Sequence, residues 1–216
     1  MKYSLIIFDW DGTLLDSAAA IVHAIQAACR DLDQPAPDDS RARHVIGLGL
    51  ADAMRHAVPE LPPDKCQAMI DRYRHHYLAA DHELSLFAGT RDMLARLQAD
   101  GHALAVATGK SRLGLERALD HSGLRPYFLA SRCADECHSK PHPQMLHELL
   151  DEFAIAPEAA LMIGDTTHDL QMAQNAGMDA LAVTYGAHPA GQLLAHAPLA
   201  ALASVPELDR WLQTHA

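Results

Sequence analysis

Four short apolar runs limit what this chain can fold into: residues 3–8 (YSLIIF), 102–107 (HALAVA), 160–163 (ALMI) and 180–183 (ALAV). Each gives way to small or polar residues and then to a segment with apolar side chains at helical spacing. A fifth short strand is expected at 127–131. Strands that alternate with helices make βαβ units, and such units build a mostly parallel sheet with helices on its faces. The expected class is therefore α/β.

The alternation is interrupted once. Between residues 16 and 86 every segment reads as helix: 17–33, with Ser17 as cap and Ile21, Ile25 and Ala28 on one face, then 39–46, 50–57 and 63–80. Pro35, Pro37, Gly47, Gly49, Pro59, Pro62 and Pro63 punctuate these segments. Alternation resumes after Phe87, with helices expected at 90–99, 111–121, 143–153, 166–176, 190–196 and 206–214. The simplest division is a core of residues 1–15 and 87–216 with an all-helical insert at 16–86.

Charge narrows the partners. Seventeen basic and 28 acidic residues leave a formal net charge of −11, which disfavours nucleic acid or an anionic membrane as the main partner. No apolar run approaches the roughly 20 residues needed to cross a bilayer. The N-terminus runs into a strand without signal-peptide architecture. Cys29, Cys66, Cys133 and Cys137 are scattered and read as reduced thiols, so a cytoplasmic location is expected. Cys133, Cys137 and His138 lack a fourth ligand and the short Cys spacing of a zinc site.

In an open α/β sheet, ligands collect beyond the carboxyl ends of the strands. The first strand is followed by Asp9, Asp11, Gly12 and Thr13, and the second by Thr108, Gly109, Lys110 and Ser111. The third leads to Lys140-Pro141, and the fourth to Gly164, Asp165, Thr166, Thr167, His168 and Asp169. Two aspartates one residue apart at the end of a buried strand repel each other unless a cation or a proton intervenes. Carboxylate oxygens of this kind suit Mg²⁺ together with a phosphate. Lys140, one of only four lysines, and the Thr108 hydroxyl can hold an anion beside the ion. Backbone N–H groups near Gly12 and Gly109 can add donors.

The ordered motifs DWDGT, ATGKS, SKPHP and GDTTHD resemble the four motifs of the haloacid dehalogenase (HAD) superfamily, most closely its phosphatases of the phosphoglycolate phosphatase type. The resemblance implies a Rossmann-like parallel sheet with a helical cap domain inserted after the first motif. It also implies a phosphatase that cleaves a small phosphorylated metabolite, 2-phosphoglycolate being one example, through an aspartyl-phosphate. Asp9 would be the nucleophile, and Asp11 the acid for the leaving oxygen and then the base for water. Thr108 and Lys140 would hold phosphoryl oxygens. Asp9, the backbone carbonyl of Asp11, Asp165 and Asp169 would hold Mg²⁺, Asp169 directly or through its neighbours. Cap residues would select the substrate, with Arg43 and His44 as candidates for a substrate carboxylate. His168 is expected to pack or to support the site residues from behind. Two other outcomes fit the same motifs: a phosphomutase of the β-phosphoglucomutase type, and a non-catalytic regulator that binds a phosphometabolite. A monomer or a homodimer is expected.

Overall fold

A computed structural model of the chain describes residues 2–216. Its sheet has six strands: β1 (Leu5–Phe8), β2 (Ala103–Thr108), β3 (Ala130–Cys133), β4 (Ala160–Gly164), β5 (Asp179–Val183) and β6 (Ala201–Leu202). The order across the sheet is β3-β2-β1-β4-β5-β6, and every pairing is parallel. Phe8 lies opposite Val106 on one side and Ile163 on the other, so the three central strands run in register, with β2 continuing two residues further to Thr108. That register brings the residues after each strand to one rim.

Alternation along the strands sorts the side chains into two cores. Leu5, Ile7, Ala105, Ala107 and Met162 face α7 (Gln144–Phe153) and α8 (Thr167–Asn175). Ile6, Phe8, Leu104, Val106, Leu161 and Ile163 face α5 (Thr90–Ala99), α6 (Arg112–Ser122) and α10 (Val205–His215). A sheet buried on both faces needs no polar face, which explains the continuous apolar runs. A shorter helix, α9 (Ala190–Leu194), lies between β5 and β6.

The remaining helices lie between β1 and β2: α1 (Ala18–Asp31), α2 (Asp39–His44), α3 (Leu50–Ala57) and α4 (Cys66–Ala80). They bury a cluster of their own around Ile21, Ile25, Val45, Ile46, Met54 and Met69. The chain leaves and returns along one seam. Asp16 N donates to Ser85 O at 3.0 Å, Phe87 N donates to Leu14 O at 3.1 Å, and Leu15 bridges Leu86.

Three local expectations need correction. The third strand begins at Ala130, because Arg125–Tyr127 winds into a 3₁₀ turn around Pro126. The sixth strand, with two residues, is too short to leave a periodic signal. Ser17 stands at the N-cap of α1 without capping it; its hydroxyl is drawn instead to Asp11 at 2.7 Å. All four cysteines are free thiols. No helix among the described residues is long and apolar enough to cross a membrane.

Candidate active site

Asp9 and Asp11 leave the end of β1 on either side of Trp10. The Trp10 ring is fully buried and packs edge-on against Phe128, with ring centroids 6.3 Å apart. That anchor sends the two carboxylates to the rim. Asp9 is 1% exposed, and one of its oxygens, Oδ1, accepts from Lys140 Nζ at 2.7 Å. The other, Oδ2, is buried with no hydrogen-bond partner among the described residues.

Lys140 joins two strands' worth of chemistry. Its ammonium, wholly buried, also donates to Asp169 Oδ1 at 2.7 Å. It follows β3, and the Lys140–Pro141 peptide is cis. Burial disfavours its charge, but Asp169 and Asp9 outweigh burial and hold its pKa above the ordinary lysine value.

Asp169 has two duties. Thr166 and Asp169 form a capping box on α8, with Thr166 N and Oγ1 donating to Asp169 Oδ2 at 3.1 and 2.7 Å. The same carboxylate binds Lys140 through its other oxygen. Asp165, the residue before the cap, accepts from Thr13 Oγ1 at 2.9 Å and from Ala187 N at 2.7 Å. Gly12 is required beside it: its φ is +84°, and a Cβ there would stand 2.1 Å from Asp165 Oδ2.

Asp9, Asp165 and Asp169 each place an oxygen within 4.8 Å of the others, and all three are buried. Fully ionised, they carry three negative charges against the single positive charge of Lys140. Burial, reinforced by Asp169 and Asp165 and opposed by Lys140, raises the pKa of Asp9 well above the carboxylate range. Asp165 is pushed up to about 7, by burial first and then by Asp169. An excess of two negative charges, a buried unpartnered oxygen and an all-oxygen donor set fit a hard divalent cation such as Mg²⁺. The carboxylate of Asp11 stands apart from this cluster.

Asp11 instead meets groups to which the resemblance assigned no role. Its carboxylate accepts from Ser17 and lies 3.0 Å from Lys110 Nζ. Lys110 in turn donates to Tyr77 Oη at 3.0 Å and sits over the Tyr77 ring, 4.6 Å from its centroid. Burial lowers the tendency of Lys110 to be charged, but Asp11 and then Tyr77 dominate and raise its pKa. The adjacency of Lys110 to Thr108-Gly109 was a usable sequence signal. Tyr77 offered none, being one tyrosine on a helix far from β1.

Thr108 ends β2 buried at 1% exposure, and Lys110 N donates to its hydroxyl at 3.2 Å. Gly109 touches the turn between α2 and α3: a Cβ there would come within 2.5 Å of both Gly47 O and Leu48 O. Gly49 N adds a hydrogen bond to Ser139 Oγ at 2.8 Å. A cavity of about 1390 Å³ opens between rim and insert, bounded by Asp9, Asp11, Thr108, Gly109 and Lys110 on the core side.

Arg43 and His44 do not border that cavity. On α2 the buried face carries Ala42 and continues into Val45 and Ile46, which leaves Arg43 half-buried on another face and His44 exposed. His44 lines a separate hollow of about 470 Å³ with Lys140, Pro141 and His168. Its ring stacks on His188 at 5.0 Å, and His168 Nε2 lies 2.8 Å from its carbonyl oxygen.

The family model described as haloacid dehalogenase-like hydrolase matches residues 6–183. "Probable phosphatase IndB" of Dickeya dadantii is 39% identical over 201 residues, 90% of this chain and 86% of that protein. A phosphoglycolate phosphatase of Aliivibrio fischeri is 33% identical over 191 residues, 84% of each chain. The solved structure of a haloacid dehalogenase-like family hydrolase from Streptococcus pneumoniae superimposes with a TM-score of 0.84 at 27% identity, over 98% of this chain and 99% of that one. A rim built from all four motif regions, on a sheet that matches that neighbour nearly end to end, leaves one assignment: the chain belongs to the haloacid dehalogenase-like hydrolases.

Proposed function

We propose that the protein is a Mg²⁺-dependent phosphatase that hydrolyses a small phosphomonoester through an aspartyl-phosphate on Asp9. The observation that carries this reading is the buried cluster of Asp9, Asp165 and Asp169 around Lys140, with Asp9 at the edge of a large cavity. The division into a core of residues 1–15 and 87–216 and a cap of residues 16–86 belongs to the same proposal.

Asp9 attacks phosphorus, and the bond to the ester oxygen breaks as the bond to Asp9 forms. Asp11, held in position by Ser17 and Lys110, must enter this step protonated, and it gives that proton to the leaving oxygen. It then takes a proton from the water that attacks the aspartyl-phosphate, which releases phosphate and restores Asp9. Lys140 offsets charge on the phosphoryl oxygens and on Asp9. Thr108 and the backbone N–H groups near Gly12 and Gly109 orient those oxygens. Asp9, Asp165 and Asp169 would hold Mg²⁺ with the backbone carbonyl of Asp11, and the ion supplies charge neutralisation for a dianionic substrate.

The test is phosphate release from a panel of small esters before and after chelation. Activity is expected to fall to background with EDTA and to return with Mg²⁺. The ion binds only the folded rim, so at about 100 times its dissociation constant it is expected to add about 2.7 kcal/mol to stability. Hydrolysis that survives chelation, with no change in melting temperature on adding Mg²⁺, contradicts the reading.

A further inference from the structure

The cavity above the rim is larger than a two-carbon substrate requires. Pockets for drug-sized ligands span roughly 300–1,000 Å³, and this one holds about 1390 Å³. Its size does not come from an insert lifted off the core. Gly49 N is bonded to Ser139, the carbonyls of Gly47 and Leu48 lie against Gly109, and the His44 carbonyl lies 2.8 Å from His168 Nε2. On another side Arg117 reaches Asp81 with two hydrogen bonds of 2.7 and 3.0 Å. The space therefore persists while both parts are in contact.

Beyond the rim, the lining turns apolar. Leu48 in the turn before α3, Ile70 and Tyr73 of α4, and Leu84 and Leu86 on the return to the core border the cavity with part of their apolar surface accessible. The cations on its wall have other partners. Lys110 is paired with Asp11 and Tyr77, and Arg117 with Asp81. Arg74 is about half-exposed and stands 3.9 Å from Asp71. His82, His121 and His138 border it as solvent-exposed residues. Arg43, the residue expected to meet a substrate carboxylate, lies outside. A carboxylate carried into this space would lose water without gaining a dedicated cation, whereas an apolar body would gain contact.

We infer that the preferred substrate is the monophosphate ester of an uncharged, apolar alcohol, whose body lies against Leu48, Ile70, Tyr73, Leu84 and Leu86, in preference to a short carboxylated ester such as 2-phosphoglycolate. The inference rests on the phosphatase reading above and adds the class of alcohol. Alkyl phosphates test it best, because ethyl and hexyl esters share nearly the same leaving-group chemistry and differ in apolar length.

The experiment compares kcat/KM of the Mg²⁺-loaded enzyme for ethyl phosphate, hexyl phosphate and 2-phosphoglycolate. Hexyl phosphate is expected to exceed both others by at least about tenfold, the lower end of what one methylene contributes in an apolar pocket. Ile70→Gln, checked for folding by its melting temperature, is expected to shrink the hexyl-to-ethyl ratio at least about threefold, a part of that same contribution. Hexyl phosphate no better than ethyl phosphate, or 2-phosphoglycolate turned over faster than hexyl phosphate, overturns the inference and leaves the phosphatase reading standing. If none of the three esters is hydrolysed, the inference fails, and the wider ester panel decides the phosphatase reading separately.

Discussion

Asp9→Asn is expected to abolish turnover, lowering phosphate release by at least about 10³-fold, without loss of stability in metal-free buffer. The two halves of that result have different causes. An amide cannot form the acyl-phosphate, and removing a nucleophile typically costs several orders of magnitude in kcat. Stability responds to charge. The native cluster holds three carboxylates against one ammonium, and burial already raises the pKa of Asp9. Asparagine keeps the shape and removes one of the two excess charges, while Lys140 keeps its 2.7 Å contact with Asp169. A variant that is inactive yet at least as stable as the parent separates chemistry from scaffolding. Kinetics on the esters and denaturant titration with EDTA present would read the two effects.

Lys140→Met should do the reverse to stability. Lys140 is the only cation that contacts Asp9 and Asp169 among the described residues, and it is fully buried. Removing one partner of a buried ion pair typically costs about 3–5 kcal/mol, because the other charge stays buried and unpaired. Here two carboxylates lose their partner at once. Methionine has nearly the same reach, so little of the loss would come from a cavity. In metal-free buffer the denaturation midpoint should fall accordingly, and Mg²⁺ should restore part of it by supplying positive charge to the same oxygens. A loss below about 1 kcal/mol, the range of a surface pair, would mean that Lys140 does not hold the cluster together.

The sheet was legible because a strand buried on both faces has to be apolar throughout. Leu5, Ile6, Ile7 and Phe8 are all fully buried, and no polar alternation obscures the run. The rim was legible for a related reason: parallel strands in register deliver whatever follows them to one edge, so Asp9, Thr108 and Asp165 converge although far apart in sequence.

Contacts between the insert and the core were not legible, because they depend on how one body is set against another. Tyr77 reaches Lys110 from a helix whose own spacing says nothing about Asp11. Arg43 stands next to a buried face of α2 and was indistinguishable from a cavity residue until Ala42, Val45 and Ile46 were seen to take that face. Ser17 fitted the rule for helix caps, yet its backbone, at φ −116° and ψ −7°, lacks the extended conformation of a capping residue, and its hydroxyl donates to the Asp11 carboxylate. Asp169 shows the opposite case, in which a capping residue and a cluster residue are the same side chain using its two oxygens separately.

The most direct measurement is chemical trapping of the intermediate. The Mg²⁺-loaded enzyme is mixed with a turnover-competent ester, quenched in acid, reduced with borohydride and digested for mass spectrometry. An acyl-phosphate at Asp9 is reduced to homoserine, so the account predicts homoserine at position 9 in the parent, and none in Asp9→Asn or with EDTA present. Homoserine at another aspartate, or full turnover with position 9 never modified, would contradict it.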